Sequence, residues 1–174
     1  HYPLRRQRQM CIRDRVTMGA LAGFVGSETV TAGGSAADYS SANVGSYSSA
    51  INYTLGNGLN GGLASNYSLA AGSATGVITA KDVTIGSGSA ASKVYNGNTA
   101  AVVTAGSLSG LVGSEGLGVT AAGTFADKNV GTRNVAVTYT LANGSNGGLA
   151  SNYNLLNPTE TLSTTITAKD VTIG

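Results

Sequence analysis

The chain holds one cysteine, one histidine, no tryptophan, two prolines and two phenylalanines in 174 residues, and only 10% of its side chains are charged. Cys11 and His1 both fall in the first fifteen positions, so residues 16–174 contain neither a thiol nor an imidazole. That stretch has no means of Cys/His or Ser-His-Asp catalysis, of Cys/His zinc ligation or of c-type haem attachment. A disulfide within it is excluded as well, and the absence of cysteine is compatible with export. No catalytic residue, metal site or cofactor is expected, and the chain is not read as an enzyme.

What is present is repetition. Asn60-Gly-Gly-Leu-Ala-Ser-Asn-Tyr67 recurs as Asn146-Gly-Gly-Leu-Ala-Ser-Asn-Tyr153, and Ile78-Thr-Ala-Lys-Asp-Val-Thr-Ile-Gly86 recurs letter for letter as Ile166 to Gly174. The octapeptide returns after 86 residues and the nonapeptide after 88, so the copies differ by small loop insertions. This period exceeds that of solenoid repeats and fits a small domain with its own core. Arrays of such domains commonly supply length, spacing or repeated weak binding.

The match between copies begins at Val16, where Val16–Glu28 aligns with Val103–Glu115. Residues 1–15 are foreign to the repeat and resemble a translated sequencing-library adapter, the rival readings being a basic nucleic-acid arm, a targeting peptide or a membrane-surface helix. They lack the apolar run of about seven residues that a secretory signal requires. Their five arginines and Asp14 also account for the apparent basicity, because residues 16–174 carry five basic and seven acidic side chains, a net charge of −2 against +2 for the whole chain. Neither a nucleic-acid partner nor membrane insertion is expected.

Apolar residues alternate in Asn134–Leu141, where Val135, Val137, Tyr139 and Leu141 share one face, and Ile51, Tyr53 and Leu55 repeat the pattern in the first copy. Period two with one apolar face predicts half-buried strands. Asn57-Gly58 and Asn143-Gly144 are predicted to end them in turns of positive φ. Further strands are expected at Tyr153–Leu155 and near Ala101–Thr104, Gly118–Ala121 and Leu162–Ile173, with one helical turn around Gly148–Asn152. The body reads as mainly β: tandem small two-layer modules, immunoglobulin-like or grasp-like, each with one short helical turn. A parallel β-helix is the alternative.

Within Ile78–Ile85 the apolar positions change parity, from Ile78 and Ala80 to Val83 and Ile85, across Lys81-Asp82. A continuous strand shared by neighbouring modules would place Ile78 in one core and Val83 in the next. The expected division is therefore residues 1–15 as a foreign segment, 16–80 as a first module truncated at its start, 81–168 as a complete module and 169–174 as the start of a third, in a fragment cut at both ends.

Several motifs invite a chemical reading. Glu28 and Glu115 occupy equivalent positions one module apart, whereas a glycosidase acid pair must lie about 5–9.5 Å apart, so they read as repeated surface or turn residues. The Asn-Gly-Gly loops lack the Asp that calcium-binding glycine-rich repeats need. Asn52, Asn66 and Asn143 fit the N-glycosylation pattern, which is cheap in so Asn/Ser/Thr-rich a chain. Tyr67 and Tyr153 are either sugar-stacking platforms or core anchors with locally bonded hydroxyls, and their position beside a turn favours the second. With few large side chains each core is small, so contacts between neighbouring repeats are expected to matter.

Lys93-Val-Tyr-Asn-Gly-Asn-Thr-Ala100 resembles the opening signature Lys-x-Tyr-Asp-Gly-x-Thr-Ala of the YDG repeat domain. Gly123-Thr-Phe-Ala-Asp-Lys-Asn-Val-Gly131 resembles its central motif, and Asn152-Tyr-x-Leu155 and Ile166-Thr-Ala-Lys169 its end. The first copy lacks the opening signature and reads Asp38-Tyr-Ser-Ser-Ala-Asn-Val-Gly45 at the centre. Asn96 stands where the family has Asp; both suit a turn before Gly97, although a cation-binding Asp would here lose its charge. The resemblance implies a secreted segment of a large bacterial surface adhesin, filamentous-haemagglutinin-like or an autotransporter passenger, extracellular and on the cell surface. It implies stalk or spacer duty with weak multivalent adhesion, partners limited to neighbouring repeats and host or cell-surface glycans or proteins, and no catalytic residues. A glycan- or host-ligand-binding module is the alternative, and an accessory repeat of a larger secreted enzyme a remote one.

Overall fold

A computed structural model describes residues 16–174; the adapter-like reading of residues 1–15 falls outside them. The chain is mainly β, with 48% in strands and almost no helix, arranged in several small sheets. It divides into two compact units between Thr79 and Ala80.

The first unit carries one antiparallel sheet of β1 (Val30–Ala36), β2 (Gly45–Asn57) and β3 (Gly72–Ile78), with β2 central. The register sets Ala36 opposite Ile51 and Gly45 opposite Ile78. Val30, Ile51 and Ser49 are its buried side chains, and the alternating Tyr53 and Leu55 stay half-buried.

The second unit opens with β4 (Lys81–Ile85) and four two-residue strands: β5 (Ser89–Ala90), β6 (Lys93–Val94), β7 (Ala100–Ala101) and β8 (Val103–Thr104). It continues through β9 (Leu108–Ser109), the long hairpin β10 (Leu117–Phe125) and β11 (Gly131–Asn143), then β12 (Tyr153–Leu155) and β13 (Thr159–Thr167). The main sheet runs β6-β13-β11-β10-β7, a second runs β12-β4-β9, and β5 pairs with β8. All pairings among the described residues are antiparallel except β4–β12 and β6–β13. A β-helix would instead pair its strands in parallel from rung to rung.

The face of β11 marked by alternation is the buried one. Val135, Val137 and Tyr139 join Phe125, Ile166 and Ile85 in one core, with Tyr95, Val103, Leu108, Val119 and Leu162 packed around it. Burying each of these large side chains stabilises the unit by about 1.5–3 kcal/mol, so a handful of them anchors the module.

Three expectations need correction. The continuous strand over Ile78–Ile85 is two strands: β3 ends at Ile78, Thr79 and Ala80 lie outside any strand, and β4 begins at Lys81. A straight strand would send Ile78 and Val83 to opposite faces of one sheet, but β3 pairs with β2 and β4 with β12 and β9, and the two-residue break is where the chain leaves one sheet for the other. The strand predicted over Leu162–Ile173 ends at Thr167. The positive φ expected at Asn57-Gly58 and Asn143-Gly144 occurs three residues later, at Asn60 (55°) and Gly61 (85°) and at Asn146 (54°) and Gly147 (80°). The helical turns are one-turn 3-10 helices at Ala64–Asn66 and Ala150–Asn152.

Candidate functional site

The repeated octapeptide builds the same loop twice. After β11, Asn143 Oδ1 accepts from Ala150 N–H at 2.8 Å, and Asn146 Nδ2 donates to the Ser114 carbonyl at 2.8 Å. In the first unit Asn57 Oδ1 accepts from Ala64 N–H at 2.8 Å, and Asn60 Nδ2 donates to the Ser27 carbonyl at 2.7 Å. The glycines allow the loop to lie directly on backbone: a Cβ on Gly62 would stand 1.9 Å from the Thr29 carbonyl oxygen, and one on Gly148 would stand 2.0 Å from that of Gly116. No residue larger than glycine fits at such a contact.

Each octapeptide ends in a tyrosine that closes the loop. The Tyr67 hydroxyl donates to Glu28 Oε2 at 2.6 Å and accepts from Val25 N–H at 3.2 Å. The Tyr153 hydroxyl donates to Glu115 Oε2 at 2.5 Å and accepts from Val112 N–H at 3.2 Å. Glu28 and Glu115 therefore act in separate units as acceptors for a tyrosine, and the hydrogen bond to Glu28 raises the Tyr67 hydroxyl above its ordinary pKa. Tyr153 is buried and Tyr67 half-buried, with Phe24 set edge-on to the Tyr67 ring at 5.7 Å. The buried Tyr153 ring offers no open face for sugar stacking.

The segment Lys93–Ala100 is a loop tied by its own lysine. Lys93 Nζ donates to the Asn98 carbonyl at 2.7 Å, Asn98 Oδ1 at 2.9 Å and the Ala100 carbonyl at 2.9 Å. The ammonium also lies 5.0 Å from the centre of the buried Phe125 ring, within cation–π range. Asn96 Oδ1 accepts from Asn98 N–H at 3.3 Å and Gly97 takes φ 79°, so Asn96 turns the chain with its side-chain oxygen. A shallow cavity of about 270 Å³ beside this loop is lined by Lys93, Asn96, Asn98 and Val102. Among the described residues no three His, Cys, Asp or Glu side chains come together as a metal-binding group.

Sequence reasoning missed two contacts that hold the second unit. Tyr139, 3% exposed, donates its hydroxyl to Glu160 Oε1, which also accepts from Gly88 N–H at 2.8 Å. Burial, and then the bond to Glu160, push the Tyr139 hydroxyl up to about 12. Asn157 clamps β4, accepting from Ile85 N–H at 2.9 Å and donating Nδ2 to the Ile85 carbonyl at 2.6 Å. A Glu opposite a strand and an Asn before Pro158 gave no signal, since their partners lie 72 residues away or across the sheet.

The repeated Asn, Tyr and Glu side chains of the two loops thus tie those loops. Residues 79–171, over half of the chain, match the YDG domain, and the chain belongs to the YDG domain family. No curated protein and no solved structure matches it.

Proposed function

We propose that this chain is a repeat segment of a secreted bacterial surface adhesin, acting as a stalk or spacer built from tandem two-layer β modules, with weak multivalent adhesion spread over many copies. The observation that carries the reading is the recurrence of the octapeptide loop with the same ties in both units, and of the nonapeptide in sequence, around YDG membership. Repeated residues are spent on loop ties and core faces, which is what a spacing element needs. The Phe125 sheet with Ile85, Val103 and Leu108 against it supports a two-layer module, immunoglobulin-like or grasp-like. Thr79 and Ala80 are the only residues between β3 and β4, so the joint between modules is short. A short joint restricts the angles that two modules sample, whereas a long Gly/Ser linker does not.

The test is an eight-residue Gly/Ser insert between Thr79 and Ala80, with spin labels at exposed Ser48 and Thr161. The inserted chain is expected to keep each unit folded and to broaden the label-to-label distance distribution. A parent distribution already as broad as that of the insert would overturn the spacer reading in favour of flexibly linked binding modules.

A further inference from the structure

Five Asn-Gly pairs stand in the chain, beginning at Asn57, Asn60, Asn96, Asn143 and Asn146. The amide carbon Cγ of an asparagine is open to attack by the backbone nitrogen of a following glycine, because glycine has no Cβ to crowd the approach and takes backbone angles closed to other residues. Which pair reacts depends on how firmly the side-chain amide and the attacking nitrogen are held.

Four of the five are held. Asn57 Oδ1 and Asn143 Oδ1 accept from Ala64 and Ala150 N–H, and the nitrogens that would attack, those of Gly58 and Gly144, donate to the Gly62 and Gly148 carbonyls at 2.9 Å. A Cβ on Gly58 would stand 2.2 Å from the Thr29 carbonyl oxygen and one on Gly144 2.3 Å from that of Gly116, so neither glycine has room to swing. Asn60 and Asn146 donate Nδ2, the group that would leave, to the Ser27 and Ser114 carbonyls at 2.7 and 2.8 Å.

Asn96-Gly97 differs in each respect. Both residues are exposed, in the loop between β6 and β7. Among the described residues neither Gly97 N–H nor Asn96 Nδ2 donates to any group, and a Cβ on Gly97 would meet nothing within 4 Å. The bond that Asn96 does make is to Oδ1, from Asn98 N–H at 3.3 Å. That donor serves the oxygen on which negative charge gathers during attack, and the Lys93 ammonium, bonded to Asn98, lines the same hollow.

We propose that Asn96 is a self-modifying site, converting to aspartate and isoaspartate in the folded chain ahead of the other four pairs. Gly97 N gives up its proton and bonds to Asn96 Cγ; the Cγ–Nδ2 bond breaks, and Nδ2 leaves with that proton as ammonia. Water then opens the succinimide ring. Opening at Cγ gives aspartate, which completes Tyr-Asp-Gly over residues 95–97, and opening at the backbone carbonyl gives isoaspartate, which lengthens the loop by a methylene. No oxidant or reductant enters, and either product adds a negative charge beside Lys93. The site stands on the ties of the five pairs, independently of the spacer reading.

Incubation of the full chain in mildly alkaline buffer, with digestion and mass spectrometry at intervals, tests it. Conversion is read at each pair from the mass gained when the amide becomes an acid, and fragment spectra separate Asn57 from Asn60 and Asn143 from Asn146. In the native chain Asn96 is expected to convert about tenfold faster than any other pair, the factor for one hydrogen bond broken before attack. In urea, where no tie survives, the five rates should draw together. Asn96→Gln should remove the acidic species that the parent accumulates on isoelectric focusing. Equal native rates at the five pairs, a faster rate at any of the other four, or conversion of Asn96 in urea only would overturn the proposal. So would an acidic species that persists in Asn96→Gln.

Discussion

Val83 and Val171 hold the same position of the repeated nonapeptide, yet replacing each with aspartate should give opposite results. Val83 is 1% exposed in β4 and Val171 is 91% exposed. Val83→Asp forfeits about 1.5–3 kcal/mol of apolar burial. It also places a carboxylate where no partner is built, which brings the loss to about 3–5 kcal/mol or forces the carboxyl to stay protonated. At roughly 0.05–0.15 kcal/mol per residue, a unit running from Ala80 to Gly174 has a stability on the order of 5–14 kcal/mol, so the substitution removes about a fifth of it or more. For a domain of this size each kcal/mol moves the thermal midpoint by about 4–8 °C, and the expected fall exceeds about 12 °C. Val171→Asp should move it by less than about 0.5 kcal/mol, as exposed substitutions do. Amide exchange read on peptides from β11 and β13 isolates the second unit. Equal loss of protection in the two variants, or none in Val83→Asp, would refute the placement of β4 in the core.

Lys93→Ala removes three hydrogen bonds and the contact with Phe125, and should cost the second unit about 1–3 kcal/mol in urea denaturation while Lys128→Ala, at an exposed position, costs nothing measurable. Asn157→Ala should raise exchange at Ile85 N–H and destabilise the second unit by about 1–3 kcal/mol, because it leaves both backbone groups of Ile85 without their partner. Tyr139 ionises in the unfolded chain near pH 10 but in the folded unit only near about 12. Its contribution is therefore complete below about pH 10 and is lost as pH rises through about 12, since the unfolded state releases the proton first. Urea midpoints measured across that window should fall more steeply for the parent than for Tyr139→Phe.

The local arithmetic of the chain was legible from its letters. Alternation in Asn134–Leu141 named the buried face of β11, and the same spacing in β2 marked Ile51, because a strand sends successive side chains to opposite faces whatever its neighbours are. The octapeptide's Asn, Gly and Tyr announced a turn, although which of two Asn-Gly pairs takes positive φ, Asn60-Gly61 over Asn57-Gly58 and Asn146-Gly147 over Asn143-Gly144, is chosen by the docking of the loop onto Thr29 or Gly116. Parity across Lys81-Asp82 showed that two partners were involved and left the break at Thr79–Ala80 unspecified.

Which strand pairs with which was decided only in three dimensions. Nothing in Lys81–Ile85 says that it lies on Tyr153–Leu155 or that Asn157 will hold it, since those partners are 72 residues away and pairing depends on which edges the rest of the module leaves open. Sequence sets the apolar face of a strand, but burial is supplied by neighbours, and Val83 and Ile85 are core because β4 lies between β12 and β9.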